Sequence, residues 1–223
     1  MKTKLIAFFL ISTFLTGCAQ NKNKESFEGI ITYKVTFIPK TDNTKYNEYQ
    51  KQKNGDKLKT YISKNGSFKK EYLSSGEKGF DFVAYDSKLN KIYSKWKNID
   101  TTFTSSCSEN SLVLEEEKDL PNEKIYNQEC EGFLISGIEP NSGQKVKLNY
   151  FFSKNKEYLN PKFYKDFKDG FYDKVTEKMK SPFYKMVMEM EKYTVIFEVE
   201  KIEKIIINPK LLEIPKGIPV KEM

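Results

Sequence analysis

The chain has no arginine and no histidine, and these two absences narrow the chemistry open to it. Without histidine it lacks the commonest general base of hydrolases and the commonest metal ligand. Without arginine it lacks the bidentate fork that recognises phosphates and guanine, and its lysines are interleaved with acidic residues rather than gathered in a stripe. We therefore expect no enzymatic activity, no cofactor, no metal site and no nucleic-acid partner.

The acidic residues form no recognisable catalytic or calcium-binding motif. Asp166, Asp169 and Asp173 flank a glycine but lack the alternating oxygen ligands and terminal glutamate of a calcium loop, so a solvated helix face is the simpler interpretation. Glu115 and Glu117 would point to one face of a strand, where they indicate a charged strand end rather than a catalytic pair. Glycine-rich phosphate loops and nucleophile elbows are missing too.

Long apolar runs are also scarce, and the most extended one lies at residues 5–15. It is about half of the ~20 residues that a helix needs to cross a bilayer, which disfavours a membrane-spanning anchor. Lys2 and Lys4 precede it, and Leu15-Thr16-Gly17-Cys18 ends it. A positive start, a short apolar run and small residues before a cysteine are typical of a bacterial lipoprotein signal peptide.

This signal predicts where the protein resides. We expect residues 1–17 to be removed, Cys18 to carry a diacylglyceryl group and an added acyl chain such as palmitate, and residues 18–26 to form a polar tether. Ala19 replaces the aspartate that retains lipoproteins in the inner membrane of enteric bacteria, which favours a lipid-anchored position at the outer membrane. Residues 27–223 are then predicted to form a single domain.

Cysteine is rare, since Cys107 and Cys130 are the only two besides Cys18. Export would bring them into an oxidising compartment, where a disulfide closing this loop would contribute about 3 kcal/mol in the chain-entropy model. A disulfide between Cys107 and Cys130 is therefore predicted. The alternative is that each is a separate buried thiol.

Alternating apolar and polar residues predict mostly antiparallel strands. Residues 27–38 alternate strictly, and Asn65-Gly66 divides 58–63 from 67–73 with the dipeptide that type I′ hairpins favour. The polar segment 41–53 shows no helical stripe. Further strands are predicted at 80–85, 92–96, 112–116, 133–138 and 146–152.

A period of four interrupts this pattern over residues 161–180. Phe163, Phe167, Phe171, Val175 and Met179 recur at that spacing, which predicts one amphipathic helix with a kink at Gly170.

Strands are predicted to resume beyond Pro182. Met186, Met188 and Met190 alternate on one strand, and Val195 and Phe197 lie on the next, whose alternation slips at Lys201 as a bulge would require. Methionine surfaces adapt to varied ligands, but they also fill cores, and both interpretations remain open. The apolar tail 211–218 is predicted to run extended along a sheet edge.

Several short motifs together resemble exported lipoproteins of Bacteroidetes-type bacteria, which are similar to the lipoprotein-localisation carriers and acceptors. They are the lipobox ending at Cys18, the opening strand 27–33, Cys130-Glu131-Gly132, and the stretch from 181–183 to 213–217. The resemblance implies a mainly β fold of the α+β type, with a strongly curved antiparallel sheet or incomplete barrel and a helical lid over an apolar cavity for acyl chains. The arginine-dependent lid contact of that family has no counterpart here.

We therefore expect an envelope lipoprotein that binds an acyl chain or lipid between its sheet and the 161–180 helix. The membrane, reached through Cys18, is the other expected partner, and the sequence identifies no protein partner. The alternative is a structural lipoprotein that docks an envelope partner and has no ligand cavity. The predicted ligand-binding residues are Phe163, Phe167, Phe171, Val175, Met179, Met186, Met188, Met190, Val195 and Phe197.

Overall fold

A computed structural model describes residues 24–223, so the predicted signal peptide and Cys18 lie outside the described residues. Strands make up 48% of the described chain and helices 14%, which confirms the mainly β fold. Within residues 24–223, twelve strands form one sheet that is not closed. They are β1 (Gly29–Pro39), β2 (Lys57–Ile62), β3 (Phe68–Leu73), β4 (Phe80–Asp86), β5 (Lys91–Trp96), β6 (Thr102–Ser106), β7 (Val113–Ile125), β8 (Gln128–Ile138), β9 (Lys145–Phe152), β10 (Phe183–Met190), β11 (Tyr193–Lys204) and β12 (Val220–Glu222).

Strand β1 lies in the middle of the sheet, between two antiparallel meanders. The spatial order is β12-β6-β5-β4-β3-β2-β1-β11-β10-β9-β8-β7, so β2 to β6 extend one side and β7 to β11 the other. All neighbours are antiparallel except β12, which pairs parallel with β6. The two edges are thus β12 and the long strand β7.

The predicted strand 27–38 and the predicted bulge near Lys201 are both confirmed. Ile31 pairs with Ile202, but Tyr33 pairs with Val199, so one extra residue of β11 is accommodated beside Thr32. The bulge keeps apolar side chains on one face on both sides of the slip. Tyr33, Val35 and Phe197 mark this face, which we call the inner face.

The hairpin at Asn65-Gly66 is confirmed, but its turn is not the predicted two-residue type I′. Ser63 and Ser67 pair through their backbone at 2.9 Å, so three residues form the loop. Only Gly66 has a positive φ, of 87°, whereas a type I′ turn needs two such residues. The Asn65 side chain instead accepts the Ser67 N–H at 3.0 Å.

In the described part of the chain two α-helices flank the sheet, and the sequence pattern misses one of them. Helix α1 (Thr44–Asn54) is polar on most sides, and its ends are capped locally: Asn43 accepts the Tyr46 N–H and the Gly55 N–H bonds the Lys51 carbonyl. Because caps rather than an apolar stripe define it, hydrophobic periodicity does not reveal it.

The single helix predicted over 161–180 is wrong. Short 3-10 helices at Pro161–Tyr164 and Asp169–Phe171 precede helix α2, which spans only Tyr172–Met179. Gly170 and Phe171 have φ near 60°, the left-handed conformation, which ends one helical segment before the next begins. The period of four still describes the packing, because Phe171, Val175 and Met179 enter the same apolar cluster.

The apolar side chains of the inner face form two adjoining clusters. The larger, which we call the large core, gathers side chains of β1 to β4, β10 and β11 with Tyr164 and Phe167. The smaller, which we call the filled core, is buried between β8, β9 and α2. Met186 and Met188 contact both clusters. The filled core consists of Phe133, Ile135, Leu148, Tyr150, Phe152, Phe171, Val175 and Met179.

Both described cysteines are free in the structure, whereas the sequence predicts a disulfide between them. Cys107 follows β6 and Cys130 lies in β8, and eight strands separate these two strands in the sheet. Both thiols are buried in the large core, as in the alternative of two separate thiols. Burial raises the pKa of Cys107 to about 12 and that of Cys130 to about 11, which keeps both protonated.

Candidate functional site

A cavity of about 300 Å³, which we call the inner cavity, opens on the inner face near the end of α1. Its lining is mainly aromatic and aliphatic, with two lysines and one asparagine. The lining comes from five strands on both sides of β1 and from α1. The lining residues are Lys53, Asn54, Leu58, Lys70, Tyr72, Phe80, Phe183, Met186, Met188, Tyr193 and Phe197.

The alternation of β3 turns one lysine towards this apolar lining. Phe68, Lys70 and Tyr72 share the inner face, and Phe68 and Tyr72 belong to the large core or pack against it. Lys69 and Glu71 point the other way and lie 3.9 Å apart as an ion pair. Lys70 is therefore an inward residue of a strand whose outward charges are already paired.

The cavity wall opposite Lys70 is formed by β10, which carries Met186 and Met188, and by its neighbour β11; we call it the methionine wall. Met186 pairs with Phe197 and Met188 with Val195, so their side chains lie side by side on the inner face. Both methionines are only partly buried. Because methionine has three rotatable bonds and a polarisable sulfur, this wall can adapt to the shape of an occupant.

Helix α1 contributes the polar part of the lining through its last two residues. The Lys53 ammonium lies 5.2 Å from the centre of the Phe80 ring, and burial lowers the Lys53 pKa. The Asn54 amide donates to the Gln50 carbonyl at 3.0 Å, which fixes the helix end beside the cavity. The Tyr46 ring, 6.2 Å from that of Tyr193, holds the same helix against the large core.

The Lys70 ammonium, like that of Lys53, is a charge of the site without an acidic partner in the described part of the chain. It lies 5.1 Å from the centre of the Phe68 ring, and burial lowers its pKa from 10.5 to about 8. Within residues 24–223, no carboxylate lies within 4.0 Å of the Lys70 or the Lys53 ammonium.

Glu157, a buried acidic residue in the loop after β9, shows the usual compensation of a buried charge. The Glu157 carboxylate accepts a hydrogen bond of 2.6 Å from Tyr184 and lies 3.3 Å from the Lys204 ammonium. Burial opposes its ionisation, but these partners outweigh burial and lower the pKa of Glu157. Among the described residues the Lys70 ammonium has no such partners, and only the cation–π contact with Phe68 and partial contact with water stabilise its charge.

The tyrosines of the cavity stay neutral at ordinary pH. Burial raises the pKa of Tyr72 to about 12 and also raises that of Tyr193. Tyr33, whose hydroxyl donates to the Phe183 carbonyl at 3.2 Å, has its pKa raised well above the usual value by burial. These groups can supply surface and hydrogen bonds, but no acid–base pair near neutral pH.

The structure brings three of the ten predicted ligand-binding residues together at the inner cavity, namely Met186, Met188 and Phe197. Phe163, Phe167, Met190 and Val195 belong to the large core or pack against it without lining the cavity. Phe171, Val175 and Met179 lie in the filled core. The 161–180 segment therefore packs beside the cavity and does not line it.

A larger hollow, of about 660 Å³, lies on the other side of the β2–β3 hairpin beneath the segment that leads to β12. Its lining mixes apolar residues such as Ile207, Leu212 and Ile214 with the charged residues Glu28 and Lys88, among others. The Glu28 carboxylate is already engaged, since it accepts the Ile207 N–H at 3.1 Å. This hollow combines charges of both signs and has no single chemical character.

Residues 24–223 contain no group of three or more carboxylates and thiols placed to hold a metal ion. Asp169 accepts from the Ser111 N–H and hydroxyl, and Asp173 pairs with Lys168 at 2.7 Å, so these carboxylates have protein partners. None of the helices in residues 24–223 has the length and apolarity needed to cross a bilayer.

Sequence reasoning missed the lysines and most of the aromatic lining. The signal for Lys70 was present, because Phe68 and Tyr72 flank it two residues away on a strand of period two. Lys53 carried no comparable signal, since α1 shows no apolar stripe. No protein-family model matches the chain, and no curated protein matches its sequence.

Proposed function

We propose that the chain is a membrane-anchored envelope lipoprotein that binds a hydrophobic ligand, an acyl chain or lipid, in the inner cavity. The observation that carries the proposal is the cavity itself: about 300 Å³ walled by aromatic and methionine side chains. This volume lies at the lower end of the ~300–1,000 Å³ that small-molecule pockets occupy. The anchor at Cys18 is part of the proposal and rests on the sequence signal alone.

We further propose that the sheet is strongly curved and that α1 forms the lid. Phe80 of β4 and Phe183 of β10 line one cavity although five strand-to-strand steps separate these strands. Five steps span about 24 Å in a flat sheet, since neighbouring strands lie about 4.8 Å apart. A cavity of about 300 Å³ touching both strands therefore supports a bent sheet, with Lys53 and Asn54 at its cover.

The lining favours a flexible, narrow, apolar ligand. Partly buried methionines adapt to chains that differ in length and bend, whereas the rings of Phe80, Phe183 and Phe197 give flat apolar contact. The absence of a convergent acid–base pair in the lining disfavours chemistry on the ligand. Holding or handing over an acyl chain is the activity that these side chains can perform.

Binding can be measured on the full chain in nanodiscs with a neutral probe, the dansyl amide of dodecylamine. The Trp96 ring centre lies 5.0 Å from that of Phe80, so the single tryptophan is one ring away from the cavity. We expect saturable energy transfer from Trp96 to the bound probe, above the level given by partition into empty nanodiscs. Native mass spectrometry of the same sample should detect a co-purified acyl species.

A cavity-filling variant provides the control. Met188→Trp places a large ring in the inner cavity and should abolish saturable binding, measured by direct dansyl excitation. Met190→Trp adds the same ring two residues along the same strand, outside the cavity lining, and should bind like the parent chain. Equal binding by both variants, or no saturable binding by the parent, would contradict the proposal and favour the interaction-protein alternative.

A further inference from the structure

We infer that the inner cavity selects ligands with a single negative head group, and that the Lys70 ammonium pairs with that group while the apolar chain lies along the methionine wall. The inference rests on the proposed binding of a hydrophobic ligand and adds its chemical class: a long-chain carboxylate. The preference for an anion is inferred from the positions of the charged residues at the cavity. The proposed binding of an apolar chain does not depend on those charges.

The argument begins with the balance of charge in the lining. The cavity wall contains two ammonium groups, Lys53 and Lys70, and no carboxylate. Both side chains lie against phenylalanine rings, at 5.2 Å and 5.1 Å from the ring centres, instead of against an acidic partner. An unpaired cation beside an apolar space is costly for folding, and an anionic amphiphile would compensate it.

The neighbourhood of Lys70 offers a second unsatisfied group. Thr60 is the cross-strand partner of Lys70 on β2, so both side chains lie on the inner face. The Thr60 hydroxyl is buried, with 5% of the residue exposed, and it lacks a hydrogen-bond partner among the described residues. A hydroxyl beside an ammonium is a suitable donor pair for a carboxylate, which accepts from two or more directions.

The charged residues on the outward face of β3 have partners, whereas the inward Lys70 has no acidic partner within residues 24–223. Lys69, the next residue, pairs with Glu71, and the Tyr61 hydroxyl donates to the same Glu71 at 2.9 Å. Lysines on a strand normally face water and pair there, as Lys69 does. Placing Lys70 among Phe68, Tyr72 and the methionine wall gives up that solvation, and a bound anion is the compensation that the cavity can receive.

The binding of an anion should depend on pH in a predictable direction. The titratable groups that line the cavity with Lys70 are Lys53, Tyr72 and Tyr193, and burial raises the pKa of both tyrosines above the usual 10.0. The two lysines therefore account for any titration between pH 7 and pH 9.5. As Lys70 loses its proton above pH 8, the affinity for an anion should fall and that for a neutral chain should not.

The test compares three twelve-carbon competitors for the neutral dansyl probe: laurate, dodecanol and dodecyltrimethylammonium. On the full chain in nanodiscs at pH 7, laurate should compete at least about tenfold more strongly than dodecanol, the effect of one charge-assisted hydrogen bond. The cation should compete least. Raising the pH to 9.5 should remove most of the laurate preference.

Two variants assign the preference to one residue. Lys70→Met should weaken laurate about tenfold, leave dodecanol within about twofold, and remove most of the pH dependence, with Lys53 responsible for the remainder. Lys69→Met removes the same charge from the opposite face of the strand and should preserve the laurate preference.

The outcomes separate this inference from the function on which it rests. Equal competition by laurate and dodecanol, or a laurate preference that survives in Lys70→Met, would overturn the inference while acyl binding stands. Failure of all three competitors and of the probe itself would overturn the proposed function. Circular dichroism of each variant confirms that a loss of binding does not reflect a loss of fold.

Discussion

Two regions of the same inner face are built from similar side chains and yet differ in how completely they are packed. In the filled core, Phe171, Val175 and Met179 pack on the inner face of β8 and β9, and every member of the cluster is at least nine-tenths buried. At the inner cavity the sheet offers mostly apolar residues together with Lys70, and the end of α1 adds Lys53 and Asn54. An apolar segment therefore fills the inner face at β8 and β9, whereas the polar end of α1, the proposed lid, and Lys70 of the sheet border the space left for a ligand.

The largest expected effect tests whether the two regions differ in packing. Phe133→Ala removes a ring that is 1% exposed in the filled core and should lower the free energy of unfolding by about 3–5 kcal/mol. Phe80→Ala removes the same ring beside the inner cavity, where one side already lacks contacts, and should cost about half as much. Urea denaturation of both variants measures the difference. Equal losses would mean that the cavity wall is as tightly packed as the filled core.

Replacing Lys70 should raise the free energy of unfolding, in contrast to the losses expected for Phe133→Ala and Phe80→Ala. The pKa of Lys70 in the folded chain, about 8, lies below the value near 10.4 expected on unfolding, so the unfolded state binds more protons between these values. The free energy of unfolding should therefore rise as the pH increases from 7 to 9.5. Lys70→Met should stabilise the chain by about 1–3 kcal/mol at pH 7 and remove most of that rise, because Lys53, whose pKa is also lowered by burial, remains.

Lys34→Met is the control for this change. Lys34 is exposed on the outward face of β1, so the variant removes one positive charge without relieving a buried one. Its stability and its pH profile should match those of the parent within about 0.5 kcal/mol. Stabilisation of equal size in both variants would show that net charge, not burial of Lys70, is responsible.

The smallest effect concerns the two thiols of the large core. Because Cys107 and Cys130 are buried and free, a reducing agent should leave the unfolding midpoint unchanged, and a thiol reagent at pH 8 should react slowly until the chain unfolds. Two thiols per chain should then react if Cys18 carries its lipid, and three if it does not. No reaction at all after unfolding would indicate that the pair is oxidised.

Most strands could be predicted because one face of the sheet is apolar and the other polar. Period two is legible in residues 27–38, and the slip at Lys201 reports a real bulge. Strand β6 escaped this reasoning since Thr102–Ser106 is almost uniformly polar and owes its pairing to β5 and β12. Its pairing partners, not its own pattern, specify it.

Helices and the site were harder to predict, for two physical reasons. The period of four in 161–180 indicates which side chains share a core, but the left-handed Gly170 and Phe171 break the backbone that the period implies. Lysine is read as a surface residue by default, so the inward position of Lys70 becomes visible only when Phe68 and Tyr72 are considered with it.

The two edge strands of the sheet affect how closely copies of the protein can lie side by side without pairing. Strand β12 covers the edge of β6, and the open edge strand β7 is bulged twice and carries Glu115, Glu116, Glu117 and Pro121. Such features discourage pairing with a neighbouring chain. For a protein tethered through Cys18, as proposed, neighbours are confined to a plane at high local density. Charged and interrupted edges would allow many copies to share that plane as separate molecules.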